Sequence, residues 1–426
     1  MSKRLLVVDV AALGWDLVSR FPPPENSFVF QKAEPVFPAL TCTAQASTRT
    51  ASPPSEHGML ANGLYFNDLR QFKLWEQSAG LVAGGRVWDA VRKQGKRVGM
   101  LFWQQSLGEN VDLLLSPKPI HKHHGGMIQD CYCQPADLYA RLTKRIGRPF
   151  NLMHYWGPLA SRKGSDWIVS ATVEIMTSAE LAPDILLTYI PHLDYDLQRF
   201  GPHSDKAKAA LAVVYGHLKS LKQAAETSDF DFLFFGDYAM EPVSLDPVFP
   251  NLHLRKQNLF SIRTVNGMAY PDFFSSKAFA LVDHQVAFIH IFAPASLSLV
   301  ITACEKMPGV GQVIRKADFK RAGIDHPRTG DLVLVAEPGS WFAYPWWTSP
   351  REAPDYSTHV DIHNKPGYDP CELFFGWPPP GISTNPKRIR GTHGRTGQGM
   401  EVAWTSSIPN KMAIKSIESI ISQHIT

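Results

Sequence analysis

Three aspartates, Asp9, Asp194 and Asp237, stand at or just past the ends of apolar runs, in LLVVD, ILLTYIPHLD and FLFFGD. Carboxylates delivered to one edge of a sheet offer hard anionic oxygen at fixed spacing, which is what a divalent cation takes. Capping helices or bracing loops is the plainer use of the same residues. A second stretch, FPALTCTAQASTRTASPPSEHGMLANG at residues 37–63, sets Thr41 beside Cys42 and Thr43 and closes on an HG turn and an NG. Thr41 reads there either as a helix N-cap or as a hydroxyl nucleophile. The run HKHHGG, residues 121–126, crowds imidazoles without a helical i, i+4 pair or a carboxylate, so it reads as a polar surface or substrate-side loop. Five cysteines (Cys42, Cys131, Cys133, Cys304, Cys371) are scattered with no CxxC pair and read as reduced thiols of a cytoplasmic protein.

The elements that must position these residues alternate. Apolar strand runs RLLVVDV, RVGMLFW, VDLLLS, DILLTYI and DFLFFG are separated by helical patterns, among them GGRVWDAVRKQG and SDKAKAALAVVYGHLKSLKQAAE. That order predicts an α/β fold with a mostly parallel sheet, whose ligands gather at the carboxyl ends of the strands. Residues 245–380 change texture, with many prolines and the aromatic run Trp341, Phe342, Tyr344, Trp346, Trp347; they read as an inserted subdomain whose aromatics pack a core or line an apolar pocket. VAFIHIFAPASLSLVITA, residues 286–303, reads as two buried strands broken at the Ala-Pro turn rather than as a membrane span. The tail places Ile414, Ile417, Ile420 and Ile421 on one face of a closing helix. No internal repeat is present.

Bulk composition narrows the function classes. With 43 basic and 39 acidic residues the net charge is only +4, too small to argue for nucleic acid or an anionic membrane as partner. The basic start MSKR is followed by only LLVV before Asp9, so it reads as a first strand rather than as a secretory signal.

Taken together, these segments resemble the type I phosphodiesterase and nucleotide pyrophosphatase family of the alkaline phosphatase superfamily. Thr41, SEHG with His57, and Asn62 fall at the separations that family keeps between its nucleophilic Ser or Thr, its ESHG-like element and an NG whose Asn contacts substrate phosphate. The family's early strand-end Asp matches Asp9. Its DxxxHxxGP element matches DYDLQRFGP, which keeps Asp194, Gly201 and Pro202 and holds Gln198 at the His position. Its DHGM matches DYAM, with Asp237 kept and Tyr238 in place of the imidazole, and its late HG element matches RGTHGR, giving His393. PHLDYDLQR and DIHNKPGYDP further resemble a divergent bacterial and algal subgroup.

The resemblance implies an alkaline-phosphatase-like three-layer sandwich, with a catalytic core at 1–244 and 381–426 and a cap at 245–380. It implies two zinc-like ions, one activating the Thr41 hydroxyl and one polarising the phosphoryl group. Asp9, Thr41, Asp194, Asp237 and His393 are the implied ligands, while Asn62 and the Cys42 N–H are implied to hold phosphoryl oxygens. With Gln198 and Tyr238 at two imidazole positions, a harder ion such as Mg or Mn, a single ion, or replacement imidazoles from His192, His284 or His363 stay open. The implied activity is hydrolysis of a phosphodiester or pyrophosphate in a small metabolite, a nucleotide or a prenyl or cyclitol phosphate. The alternatives are a catalytically silent relative binding such a metabolite or a partner protein, and a phosphomonoesterase or sulfatase-like hydrolase.

Overall fold

The computed structural model describes residues 4–24, 27–409 and 416. An eight-stranded sheet runs through the molecule in the order Gln31–Ala33, Val402–Ser406, Phe230–Gly236, Arg4–Val10, Ile185–Ile190, Val98–Leu101, Leu113–Pro117, Cys131–Gln134. Its five inner strands are parallel and its outer ones antiparallel, so the expected mostly parallel α/β sheet is what the chain forms. Leu5 to Val10 and all of Ile185–Ile190 are buried residue after residue. Side chains alternate between faces along a strand, so both faces of the sheet are covered. One cover is the helix Asp205–Thr227, capped by Ser204 Oγ accepting from the Ala207 N–H, with Ala207, Leu211, Val214, Leu218 and Leu221 buried at helical spacing.

Arg4–Val10 is flanked by Ile185–Ile190 and Phe230–Gly236, with Asp9 paired to both Tyr189 and Phe235. All three strands therefore finish at one edge. Gly236 is required there, because a Cβ on it would lie 2.3 Å from the Leu13 carbonyl oxygen. That close approach turns the chain so that Asp237 follows directly at the edge.

A second sheet of four antiparallel strands, in the order Ala278–Asp283, Val286–Ile291, Leu332–Ala336, Val310–Arg315, has its own core. Phe279, Phe288, Phe342 and Trp346 fill it together with Leu60 and with Phe72 and Leu74 of the earlier hairpin strand Gln71–Leu74. Trp341, Phe342, Tyr344 and Trp346 are buried, and none of the aromatic run lines the large cavity described below. The second strand expected within 286–303 is instead the helix Leu297–Glu305. Pro294 opens a 3-10 turn and Ser296 enters the helix, while Val300, Ala303 and Cys304 form one buried side and Leu297 and Leu299 stay exposed. One-sided burial at helical spacing overrides the β-branched composition. The closing helix expected at Ile414–Ile421 lies outside the described residues. Among the described residues no helix is long and apolar enough to cross a membrane.

Candidate active site

Thr41 opens the buried helix Thr41–Thr50, and Leu40, with φ −133° and ψ 149°, holds the N-cap position instead of it. Its hydroxyl is thus free of capping duty. Thr41, Asn62, Asp194, Gln198, Tyr238, His284 and His393 line one cavity of about 580 Å³. His363 and His121 reach its wall as exposed residues, and His363 Nδ1 donates to the Leu74 carbonyl oxygen at 3.1 Å. His192 does not line it; its ring packs edge-on against His217 at 5.4 Å.

Asp9 and Asp237 lie off the cavity wall, fully buried. Gln45 Nε2 donates to Asp9 Oδ2 at 2.8 Å, and the backbone N–H groups of Ala12 and Tyr238 donate to Asp237 Oδ1 at 3.1 and 2.9 Å. Among the described residues Asp9 Oδ1 and Asp237 Oδ2 have no hydrogen-bond partner. Burial drives both carboxyls upward; the Gln45 donation partly offsets this at Asp9, and the neighbouring Asp9 charge adds to it at Asp237. Two buried acids close enough for one to raise the other, each with one oxygen unpaired among the described residues, offer the oxygen donors a hard or borderline divalent cation takes.

Asp194 differs. The Tyr238 hydroxyl donates to its Oδ1 at 3.1 Å and Gln198 Nε2 to its Oδ2 at 2.5 Å. Burial pushes this carboxyl up to about 7, partly offset by those two donors. The Tyr238 ring lies flat on His393, centroids 3.5 Å apart, and interacts with the Thr41 side chain. His393 Nδ1 must donate to the Ala39 carbonyl, 2.8 Å away, leaving Nε2 as an acceptor. This half of the site is filled with neutral donors and does not fit a cation. Among the described residues no three His, Cys, Asp or Glu side chains are grouped to hold a metal, so neither His192, His284 nor His363 completes a set around Asp237.

The groups implied as phosphoryl donors hold each other: the Cys42 N–H donates to Asn62 Oδ1 at 3.1 Å, and Asn62 gives its N–H and Nδ2 to Asp283. Asp283 Oδ1 also pairs with His284 Nδ1 at 2.8 Å. His284 sits in the hairpin turn of the second sheet at φ +56°, an uncommon conformation for a bulky residue, and its Nε2 has no hydrogen-bond partner among the described residues. Burial holds its ring neutral, well below the usual imidazole range. Nε2 therefore offers a lone pair rather than a charge.

Over residues 24–369 the sequence matches the family model described as type I phosphodiesterase / nucleotide pyrophosphatase. The chain belongs to this family. Phosphonoacetate hydrolase from Sinorhizobium meliloti 1021, solved with phosphonoformate, shares the fold at a TM-score of 0.64 and 15% identity, covering 100% of this chain and 96% of that one. Murine ectonucleotide pyrophosphatase / phosphodiesterase 5 shares it at 0.61 and 14%, covering 99% and 95%. The human form does so at 0.62 and 14%, covering 99% and 93%. No curated protein matches by sequence. The family is one of divalent-metal-dependent phosphoester hydrolases within the alkaline phosphatase superfamily.

Within this type I phosphodiesterase family member, three supporting residues escape a reading of the sequence. Gln45, one helical turn after Thr41, holds Asp9, and the i, i+4 spacing on one helix face was the available signal. Asp283 carried a strand-end signal like the other acids. Tyr368, whose hydroxyl exchanges hydrogen bonds with the Gln198 amide and whose ring stacks on His284 at 3.8 Å, had only its place in DIHNKPGYDP.

Proposed function

We propose that the chain hydrolyses phosphodiesters whose alcohol carries an apolar or aromatic body, with Thr41 as nucleophile. The observation that carries this is the placement of Thr41, uncapped at a buried helix start, on the wall of a cavity that also presents Trp75, Phe102, Trp103, Trp156 and Met153. Among the described residues no Lys or Arg lines that cavity. A diester with one negative charge suits such a wall better than a pyrophosphate, whose several charges call for cationic side chains.

Asp9, Asp237 and the Thr41 hydroxyl would hold the divalent cation, which supplies Lewis acidity that lowers the hydroxyl pKa and offsets phosphoryl charge. Thr41 Oγ forms a bond to phosphorus as the bond to one alcohol breaks, and that alcohol leaves with a proton. Water then attacks phosphorus, the Thr41 ester breaks, and the monoester departs. His284 Nε2, neutral and lone-pair bearing, orients a hydroxyl in the cavity. The amides of the helix start contribute partial positive charge at the phosphoryl group. Residues 245–380 act as the cap in this reading, and the five free cysteines suit a cytoplasmic place where thiols stay reduced.

The silent-relative reading keeps one observation: the Cys42 N–H and the Asn62 carboxamide are bonded to each other rather than presented to a ligand. Turnover of bis(p-nitrophenyl) phosphate with Mn²⁺ decides between them. The proposal expects turnover that falls by at least about 10³-fold in Thr41→Ala. Equal rates in the two proteins, or faster cleavage of the monoester or sulfate analogue, sink it.

A further inference from the structure

The two halves of the site treat their acids in opposite ways. Asp194 has both oxygens occupied, Oδ1 by the Tyr238 hydroxyl and Oδ2 by Gln198 Nε2. That arrangement is itself braced: Gln198 exchanges hydrogen bonds with the Tyr368 hydroxyl at 2.9 and 3.2 Å, and Tyr238 is stacked on His393 with only 4° between the ring planes. A closed set of neutral donors around a buried carboxyl does by hydrogen bonding what a cation does by charge. To admit an ion, Tyr238 would have to leave both its hydrogen bond and its stacked partner, and Gln198 can offer only a neutral amide oxygen in return. Asp9 and Asp237 are the reverse case. Both are fully buried, and each has one oxygen, Oδ1 and Oδ2 respectively, that meets no donor among the described residues. Bare buried carboxylate oxygens are costly unless protonated or met by positive charge.

We infer that this chain takes a single divalent cation, held by Asp9, Asp237 and the Thr41 hydroxyl, and that Tyr238 and Gln198 close the second position to any ion. On the closed side a bound phosphoryl group meets hydroxyl and amide dipoles where a second ion would have supplied charge. The inference rests on the metal-assisted reading of the site but not on which ester is cleaved. It stands or falls on ion count, which is measured without turnover.

The full chain, dialysed against chelator, is titrated with Mn²⁺ by calorimetry, and its bound metal is counted after gel filtration. Mn²⁺ is the probe because the exposed His121, His123 and His124 would add to a zinc count. One equivalent is expected in the wild type. Asp237→Asn should weaken it by more than about 100-fold, beyond the loss caused by removing a merely supporting group. The double variant Gln198→His with Tyr238→His, shown folded by circular dichroism, should take two equivalents. Two equivalents or none in the wild type, undiminished binding in Asp237→Asn, or one equivalent in the folded double variant would overturn the inference.

Discussion

Ser47 and Met59 hold the His57 ring from both sides. The Met59 N–H donates to Nδ1 at 3.1 Å, so the ring proton sits on Nε2, which donates to Ser47 Oγ at 2.9 Å. Burial, with the Arg49 charge second, keeps this imidazole neutral down to about 3. In the unfolded chain it titrates near 6.5, so between those values the unfolded state binds the extra proton. Stability is therefore full above the unfolded pKa and lost as pH falls through the window, at up to about 1.4 kcal/mol per unit. The urea midpoint should drop between pH 7 and pH 5, and His57→Asn should show a smaller drop from a lower starting value. An unchanged pH slope in the variant would assign the effect to other groups. The His57 ring is thus held by Ser47 and the Met59 N–H, in a segment that the family resemblance tied to the site. The strand-end acids were legible because a parallel sheet must deliver its strand ends to one edge. The Cys42–Asn62 bond and the Tyr238–Asp194 bond were not, since each joins residues whose approach depends on how separate elements pack.

The helix Thr41–Thr50 is anchored at the end opposite Thr41. Arg49 is fully buried there, 3.4 Å from Glu109, donates to the Gln105 carbonyl at 2.7 Å and to that of Gln104, and lies 5.8 Å from the Trp103 ring. Arg86 shares the same Glu109 oxygen at 2.9 Å. Breaking a buried pair by removing one partner leaves a desolvated charge, so Arg49→Met should cost about 3 kcal/mol of unfolding free energy. Arg49→Lys should recover only part of it, because an ammonium cannot reproduce the planar fork. Chemical denaturation of the three proteins checks this, and a loss below about 1 kcal/mol in Arg49→Met would show that Arg86 alone neutralises Glu109. Strongly periodic elements such as Asp205–Thr227 and the inner strands were legible, being buried on the pattern their sequence repeats. The expected helix in GGRVWDAVRKQG shrinks to Asp89–Lys93, and LSLVITACE is helical where a strand was expected. Short apolar runs carry the same composition in either state, and packing against the second core chooses between them.

The cavity belongs to the whole molecule, since its walls come from the edge of the large sheet, from the turn of the second sheet at His284, and from residues 360–368. The last of these is pinned by Lys365, buried with its Nζ 2.8 Å from Asp369 and 2.7 Å from Glu372. Glu372 in turn accepts from Trp156 Nε1 at 2.6 Å, so the same ion network sets an aromatic wall. A space of about 580 Å³ falls within the usual range of small-molecule sites and exceeds what a phosphoryl group alone would fill. If an apolar body occupies the remainder, each methylene it buries contributes about 0.8 kcal/mol, or roughly fourfold in kcat/KM. A series of p-nitrophenyl alkyl phosphodiesters should therefore be cleaved faster with chain length until the cavity is full. Trp156→Ala should flatten the series while sparing the methyl ester, because it removes wall and not reacting groups. Nucleoside triphosphates should be poor substrates, as their extra charges meet no cationic side chain among the described residues of the wall. Preference for a triphosphate, or a rate independent of alkyl length, would place the substrate's body outside this cavity.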